Sequence, residues 1–196
     1  AVVRVNLDGE ILGRFRVHEG AIKALRIHPS LPLGVSCGAD GLLLSWGLSG
    51  ELIDRFPGHT AIVDDVDIDP AGEMIASASR DFTLKVYQID GARLVHSISL
   101  GRRSPKSVCY VSEGVVIVGD YWGTLLRAQL DSGRITRGVI ARNGISSLAR
   151  AGEHLVAASY DGGVYLVRPG DLKVVNSLRA MLQRPDGWAT SAGWQA

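Results

Sequence analysis

The chain is built on an internal period, and that period constrains its fold more than any other feature. The segment Asn6-Leu7-Asp8-Gly9 returns as Gly47-Leu48-Ser49-Gly50, as Gln88-Ile89-Asp90-Gly91 and as Gln129-Leu130-Asp131-Ser132. Its apolar member stands at 7, 48, 89 and 130, a step of 41 residues each time. His18 and His59 keep the same step, as do Asp40 and Asp81. Trp122 fills the next Asp position, and Asp161 follows after a shorter step. A fixed period of this length describes one supersecondary unit that buries its apolar faces only by stacking on copies of itself.

Between the markers, short stretches alternate apolar and polar residues, as at 2–7, 21–27, 62–68, 84–89, 115–118 and 163–167. They are rich in Val, Ile, Leu and Tyr and are bounded by Gly, Asp, Ser and Pro. That pattern predicts strands joined by tight turns, and no segment keeps a helical period over three turns. Four strands in about 40 residues is the unit of a β-propeller blade, and the period suits WD40 repeats better than kelch repeats.

The residues also resemble the WD40-repeat β-propeller family in detail. That family places a Gly-His pair before the first strand of a blade. A Ser or Thr follows in the second strand, an Asp in the next turn and a Trp in the third strand. One repeat carries His18, Ser36, Asp40 and Trp46; the next carries Gly58-His59, Ser77, Asp81 and Tyr87. Both have 22 residues from His to Asp, four from Ser to Asp and six from Asp to the aromatic. Val118, Trp122 and Ala128 occupy the Ser, Asp and Trp positions in the third repeat, and Ala157, Asp161 and Val167 in the fourth, so the tetrad fades along the chain. The resemblance implies an all-β propeller of four-stranded blades. It also implies that the two tetrads are structural, a hydrogen-bonded relay that satisfies buried donors and acceptors together. A Ser, a His and an Asp that recur with the fold period are not a nucleophilic triad.

The ends can be placed on the same repeat. The turn Ile68-Asp69-Pro70-Ala71-Gly72 is echoed by Gln183-Arg184-Pro185-Asp186-Gly187, and a Pro-Asp-Gly run is a turn signal. The expectation is a single domain over 1–196 with about five repeats, cut near 40, 81, 122 and 161. Residues 1–17 and 178–196 would share one blade and close the ring, which removes exposed sheet edges. The alternatives are membership of a larger propeller and a docking role for the tail residues Trp188 and Trp194. A first residue other than Met fits a trimmed or excised chain.

Function is less sharply written. Twenty-one Lys and Arg stand against 20 Asp and Glu, a net charge of +1, so no global attraction to nucleic acid or anionic lipid follows. No apolar run is long enough to span a bilayer as a helix, and no secretory signal pattern opens the chain. Cys37 and Cys109 have no metal-like spacing; they read as two reduced, packed thiols of a cytoplasmic protein, with a disulfide as the lesser reading. Phosphate-loop, zinc and dinucleotide motifs are absent. His28, His96 and His154 read as surface or turn residues. Asp65, Asp67 and Asp69 would share a strand face beside Asp64, a cation site in one reading and a solvated or channel-rim face in the other. No cofactor and no metal are expected.

The candidate binding residues are those that break the repeat. Arg102, Arg103 and Lys106 replace the Gly-His pair of the third repeat. Tyr121-Trp122 replaces a small polar turn, and Tyr160 stands at the matching turn one repeat later. On a propeller these turns share one face, where aromatic residues and Arg make interface hot spots; the competing reading for Trp122 is an inward core filler. The expected function is a non-catalytic protein–protein interaction scaffold with protein partners and no membrane. The alternative is a sensor or regulatory propeller of a larger bacterial-type signalling protein. A propeller enzyme and a nucleic-acid binder rank lower.

Overall fold

The computed structural model describes residues 1–179 and the short tail strands 181–182, 190–191 and 194–195. The described residues form antiparallel strands with a single 3-10 turn at Asp90–Ala92. The strands are β1 (Val2–Val5), β2 (Ile11–Phe15), β3 (Ile22–Ile27), β4 (Leu33–Gly38), β5 (Leu43–Gly47), β6 (Leu52–Phe56), β7 (Val63–Ile68), β8 (Met74–Ser79), β9 (Thr83–Gln88) and β10 (Arg93–Ser99). They continue with β11 (Pro105–Ser112), β12 (Val115–Asp120), β13 (Thr124–Gln129), β14 (Ile135–Val139), β15 (Ile145–Ala151), β16 (His154–Ser159), β17 (Gly163–Arg168) and β18 (Lys173–Arg179). The tail adds β19 (Met181–Leu182), β20 (Thr190–Ser191) and β21 (Trp194–Gln195).

Strands β3 to β6, β7 to β10 and β11 to β14 form three four-stranded meanders. Strands β15 to β18 form a fourth, to which β21 adds a fifth strand. These are sheets of the WD40 blade type. Their central hairpins pair Cys37 with Leu43, Ser79 with Thr83, Gly119 with Leu125 and Ala158 with Val164. The hairpins therefore centre on residues 40, 81, 122 and 161, the markers of the sequence period. Turn length fixes register in a hairpin, so a constant turn keeps every blade in the same alignment. The first strand carries a bulge at Lys23, Asp64 and Ser146, again at equivalent positions. A bulge locally increases strand twist.

The chain divides into two compact units, Ala1–Pro105 and Lys106–Ala196. The core of the first is Val35, Cys37, Leu43, Phe56, Val63, Val66, Ile75 and Tyr87, contributed by two sheets. Aromatic edges repeat with the period: Phe15 meets Trp46 at 5.1 Å between centroids, and Phe56 meets Tyr87 at 5.4 Å. Each pair joins the last strand of one sheet to the third strand of the next. Edge-to-face pairs add about 1 kcal/mol beyond their buried area. The core of the second unit gathers Ile117, Leu125, Ile145, Leu148, Leu155 and Val167 around Cys109. Cys37 and Cys109 are buried free thiols, and burial, with the Asp65 charge, holds the Cys37 thiol far above its ordinary pKa.

Among the described residues, β1 pairs with β2 alone, and β21 pairs with β18. The blade expected to join 1–17 with 178–196 is not among these pairings. The expected turn at 183–187, with Trp188, lies outside the described residues.

Candidate functional site

The polar relays of the first unit occupy the residues that imitate a catalytic set. His18 Nδ1 lies 3.0 Å from each carboxylate oxygen of Asp40. An ionised carboxylate only accepts, so Nδ1 carries the proton and Nε2 accepts from the Ser36 hydroxyl at 2.8 Å. The Ser36 oxygen in turn accepts the indole N–H of Trp46 at 3.0 Å. In the next sheet His59 Nδ1 donates to Asp81 at 2.8 Å and Nε2 meets Ser77 at 2.7 Å. Tyr87 differs from Trp46: its hydroxyl stays beside Ser77 as a hydrogen-bond neighbour but has an acceptor of its own in the Pro57 carbonyl at 2.9 Å.

The cause lies on the neighbouring strand. Gly34 pairs directly with Trp46, and a Cβ there would stand 2.2 Å from the indole. Ile75 holds that place opposite Tyr87, so the ring has no such bed.

Burial would raise the Asp40 and Asp81 carboxyls, but their hydrogen bonds prevail and hold both below the ordinary carboxylate range. Asp40 accepts from His18 and from the Leu42 and Gly20 amides; Asp81 accepts from the Thr83 hydroxyl, His59 and the Thr60 amide. Burial lowers His59, against the pull of Asp81. Ser36 and Ser77 are fully buried and His18 nearly so, with every one of these groups engaged. A nucleophile here would have no access to a substrate.

The second unit replaces the relay. Asp161 accepts from the amides of Arg142 and Gly163 at 3.0 and 2.8 Å and from the Tyr165 hydroxyl at 2.8 Å. These bonds outweigh burial and hold its carboxyl below the usual range. In the third sheet the carboxylate has moved two residues back: buried Asp120 accepts from the amides of Trp122 and Thr124 at 2.8 and 2.9 Å. That frees position 122 for an aromatic side chain.

Trp122 points outward and is 53% exposed, as is Tyr160. The Tyr160 amide donates to the Gly144 carbonyl at 2.9 Å. Gly144 lies so close to Tyr121 that a Cβ would meet its backbone at 3.0 Å. Lys106 Nζ sits 5.9 Å from the Tyr121 ring centroid. Lys106, Tyr121, Trp122 and Tyr160 therefore gather around the Asn143-Gly144 loop that leads into β15. Arg102, exposed, and Arg103, half-buried, belong to the end of the first unit.

The acidic cluster is not a solvated face. Asp65 and Asp67 meet Arg26 at 3.4 and 3.1 Å, and Asp64, in the bulge of β7, takes two bonds from Arg80 at 2.7 and 3.1 Å. Asp69 caps its own turn through the amides of Glu73 and Met74. Among the described residues no group of three or more His, Cys, Asp and Glu side chains is arranged to hold a metal. Nor is any helix long and apolar enough to cross a membrane.

His28, read from sequence as a surface or turn residue, is buried. Its Nδ1 accepts the amides of Ser30 and Leu31, and its Nε2 donates to the Gly72 carbonyl of the next sheet at 2.8 Å. The available signal was positional: 41 residues on, Asp69 precedes Pro70 as His28 precedes Pro29, and both cap the turn that follows.

The family model "WD domain, G-beta repeat" matches residues 9–46 and 50–88. A p21-activated protein kinase-interacting protein 1-like of Gallus gallus is 23% identical over 184 residues, 88% of this chain and 47% of that protein. Eukaryotic translation initiation factor 3 subunit I of Vanderwaltozyma polyspora is 26% identical over 81 residues, 41% of this chain and 23% of that protein. An uncharacterized WD repeat-containing protein of Synechocystis is 36% identical over 71 residues, 34% of this chain and 4% of that protein. The matched stretches thus span less than half the length of these relatives. The matched repeats hold the two His–Asp relays, and residues 9–46 and 50–88 are WD40 repeats.

Proposed function

We propose that this chain is a non-catalytic protein-interaction scaffold that presents the loops of one face to a protein partner. The observation that carries the reading is the grouping of outward Trp122 and Tyr160 with Tyr121 and Lys106 around the loop leading into β15. Rigid strands hold that loop cluster, and recognition concentrates on such loops. Exposed Trp and Tyr supply large contact area at small entropic cost. Arg102 and Arg103 join the proposed contact set as cationic neighbours in sequence. Similar proteins include a subunit of a translation factor and a kinase-interacting protein, which agrees with a role in assemblies. The proposal takes 1–196 as one propeller domain cut near 40, 81, 122 and 161, in a cytoplasmic setting supported by two buried free thiols.

The test is capture from native lysate with the wild-type chain and with a Trp122→Ala, Tyr160→Ala variant checked for an unchanged circular dichroism spectrum. The expected result is one defined protein, confirmed by reciprocal capture, retained by the wild type and lost by the variant. Retention by both would remove these residues from the interface. No specific capture by either would remove the scaffold reading.

A further inference from the structure

The first unit carries a cleft of about 580 Å³ lined by Arg16, Val17, His18, Glu19, Leu42 and Arg55. Its walls come from the segment after β2, the turn between β4 and β5, and strand β6. The volume falls in the range of ligand sites.

Its two guanidinium groups are differently placed. Arg16 folds back on its own loop: Nε donates to the His18 carbonyl at 3.2 Å and Nη2 to the Glu19 carbonyl at 3.3 Å. Those bonds orient the group and leave three of its five N–H donors unused by the loop. The Arg55 side chain is exposed on β6 and makes no hydrogen bond or ion pair with any described residue. A guanidinium is the side chain best matched to a carboxylate or phosphate through paired N–H donors. His18 contributes shape alone, since both ring nitrogens are spent within its relay.

The charge of the lining selects between those anions. Two guanidiniums stand against the Glu19 carboxylate, a balance of one positive charge. A carboxylate brings one negative charge and closes that balance. A phosphate monoester brings about −1.5 to −2 and would meet the Glu19 carboxylate uncompensated. Val17 and Leu42 add an apolar wall, along which the methylene stem of an acidic side chain packs.

We propose that this cleft receives a glutamate or aspartate side chain from an acidic segment of a partner polypeptide, with Arg55 and Arg16 holding the carboxylate. The site shares no residue with the proposed aromatic surface, so its failure and the failure of that surface are read by different variants.

The experiment is isothermal titration calorimetry of the full chain at low salt with blocked hexaglutamate and blocked hexaglutamine. Hexaglutamate is expected to bind about tenfold more tightly or better, the scale of one charge-assisted bond pair. Arg55→Gln is expected to lose most of that preference with an unchanged melting temperature. Arg93→Gln removes the same charge from another exposed site of the same unit, where Arg93 meets only Gln88 among the described residues; it is expected to keep the preference within about twofold, since exposed charges act weakly. Equal binding of the two peptides by the wild type, or equal loss in both variants, would overturn the site. A single phosphoserine in a glutamine hexamer binding more tightly than a single glutamate in the same hexamer would overturn the carboxylate assignment.

Discussion

At the scale of single residues, the two relays in the first unit share three members and differ in the fourth, and that difference is measurable. Ser36 serves two buried partners, donating to His18 Nε2 and accepting from Trp46. Ser36→Ala strands both groups, and a buried polar group left unsatisfied costs about 1–3 kcal/mol. The expected loss is about 2–4 kcal/mol in urea unfolding. Ser77 meets His59 and neighbours the Tyr87 hydroxyl, which keeps the Pro57 carbonyl as its acceptor when Ser77 is removed, so Ser77→Ala is expected to cost about 1–2 kcal/mol. Equal losses would mean that the indole bond contributes nothing. Gly34→Ala probes the same relay from the opposite side. The new methyl would occupy the indole's place, and overpacking of this kind costs about 1–3 kcal/mol. The expected signature is a change in tryptophan emission together with that loss.

At the scale of elements, the central hairpin is the repeated device, and one copy departs from the rule. The residue after each turn centre has positive φ: Gly41 at 77°, Gly123 at 78°, Gly162 at 83° and Phe82 at 64°. For a residue with a Cβ this region costs about 1–2 kcal/mol; glycine in the unfolded chain gives back about 0.5–1 kcal/mol of that gain. Phe82→Gly is therefore expected to leave stability unchanged or raise it by up to about 1 kcal/mol. Gly41→Ala is expected to lower it by about 1 kcal/mol. Denaturant midpoints of the two variants check the pair, and a destabilising Phe82→Gly would show that the ring contributes more than the turn costs.

The same hairpins explain what was legible in the sequence. The spacing of Asp40, Asp81, Trp122 and Asp161 located all four turn centres, because a hairpin's register depends on local turn length. The outward direction of Trp122 was open until Asp120 was seen to take over the turn amides. The ties between sheets were illegible as motifs. Arg26 with Asp67, and His28 with Gly72, join residues that only stacking brings together. Arg26 and Asp67 do lie one period apart, so opposite charges at the same repeat position are the signal that the sequence carries for this tie.

At the scale of the whole molecule, the relays are unevenly shared, and pH exposes the asymmetry. The carboxyls of Asp40, Asp81 and Asp161 are all held below their ordinary pKa, whereas the lowered histidine, His59, lies in the first unit. Folded His59, facing Asp81 and Lys85, refuses a proton that the unfolded chain accepts near its usual pKa of about 6.5. The unfolded state then binds more protons, so this contribution is complete above that pH and is lost as pH falls below it. The carboxylates act in the same direction lower down: their contribution is present above about pH 4 and is lost as pH falls through their folded values. The melting temperature is thus expected to be level above about pH 7, to decline below about 6.5, and to fall steeply below about 4. His59→Gln should remove the upper decline and shallow the lower one, since Asp81 loses a donor. Hydrogen exchange at pH 5.5 should show the added opening in strands β7 to β10 and little change in β15 to β18. A melting temperature that holds or rises between pH 7 and 5 would show that the folded state takes up protons elsewhere and that His59 does not govern acid stability.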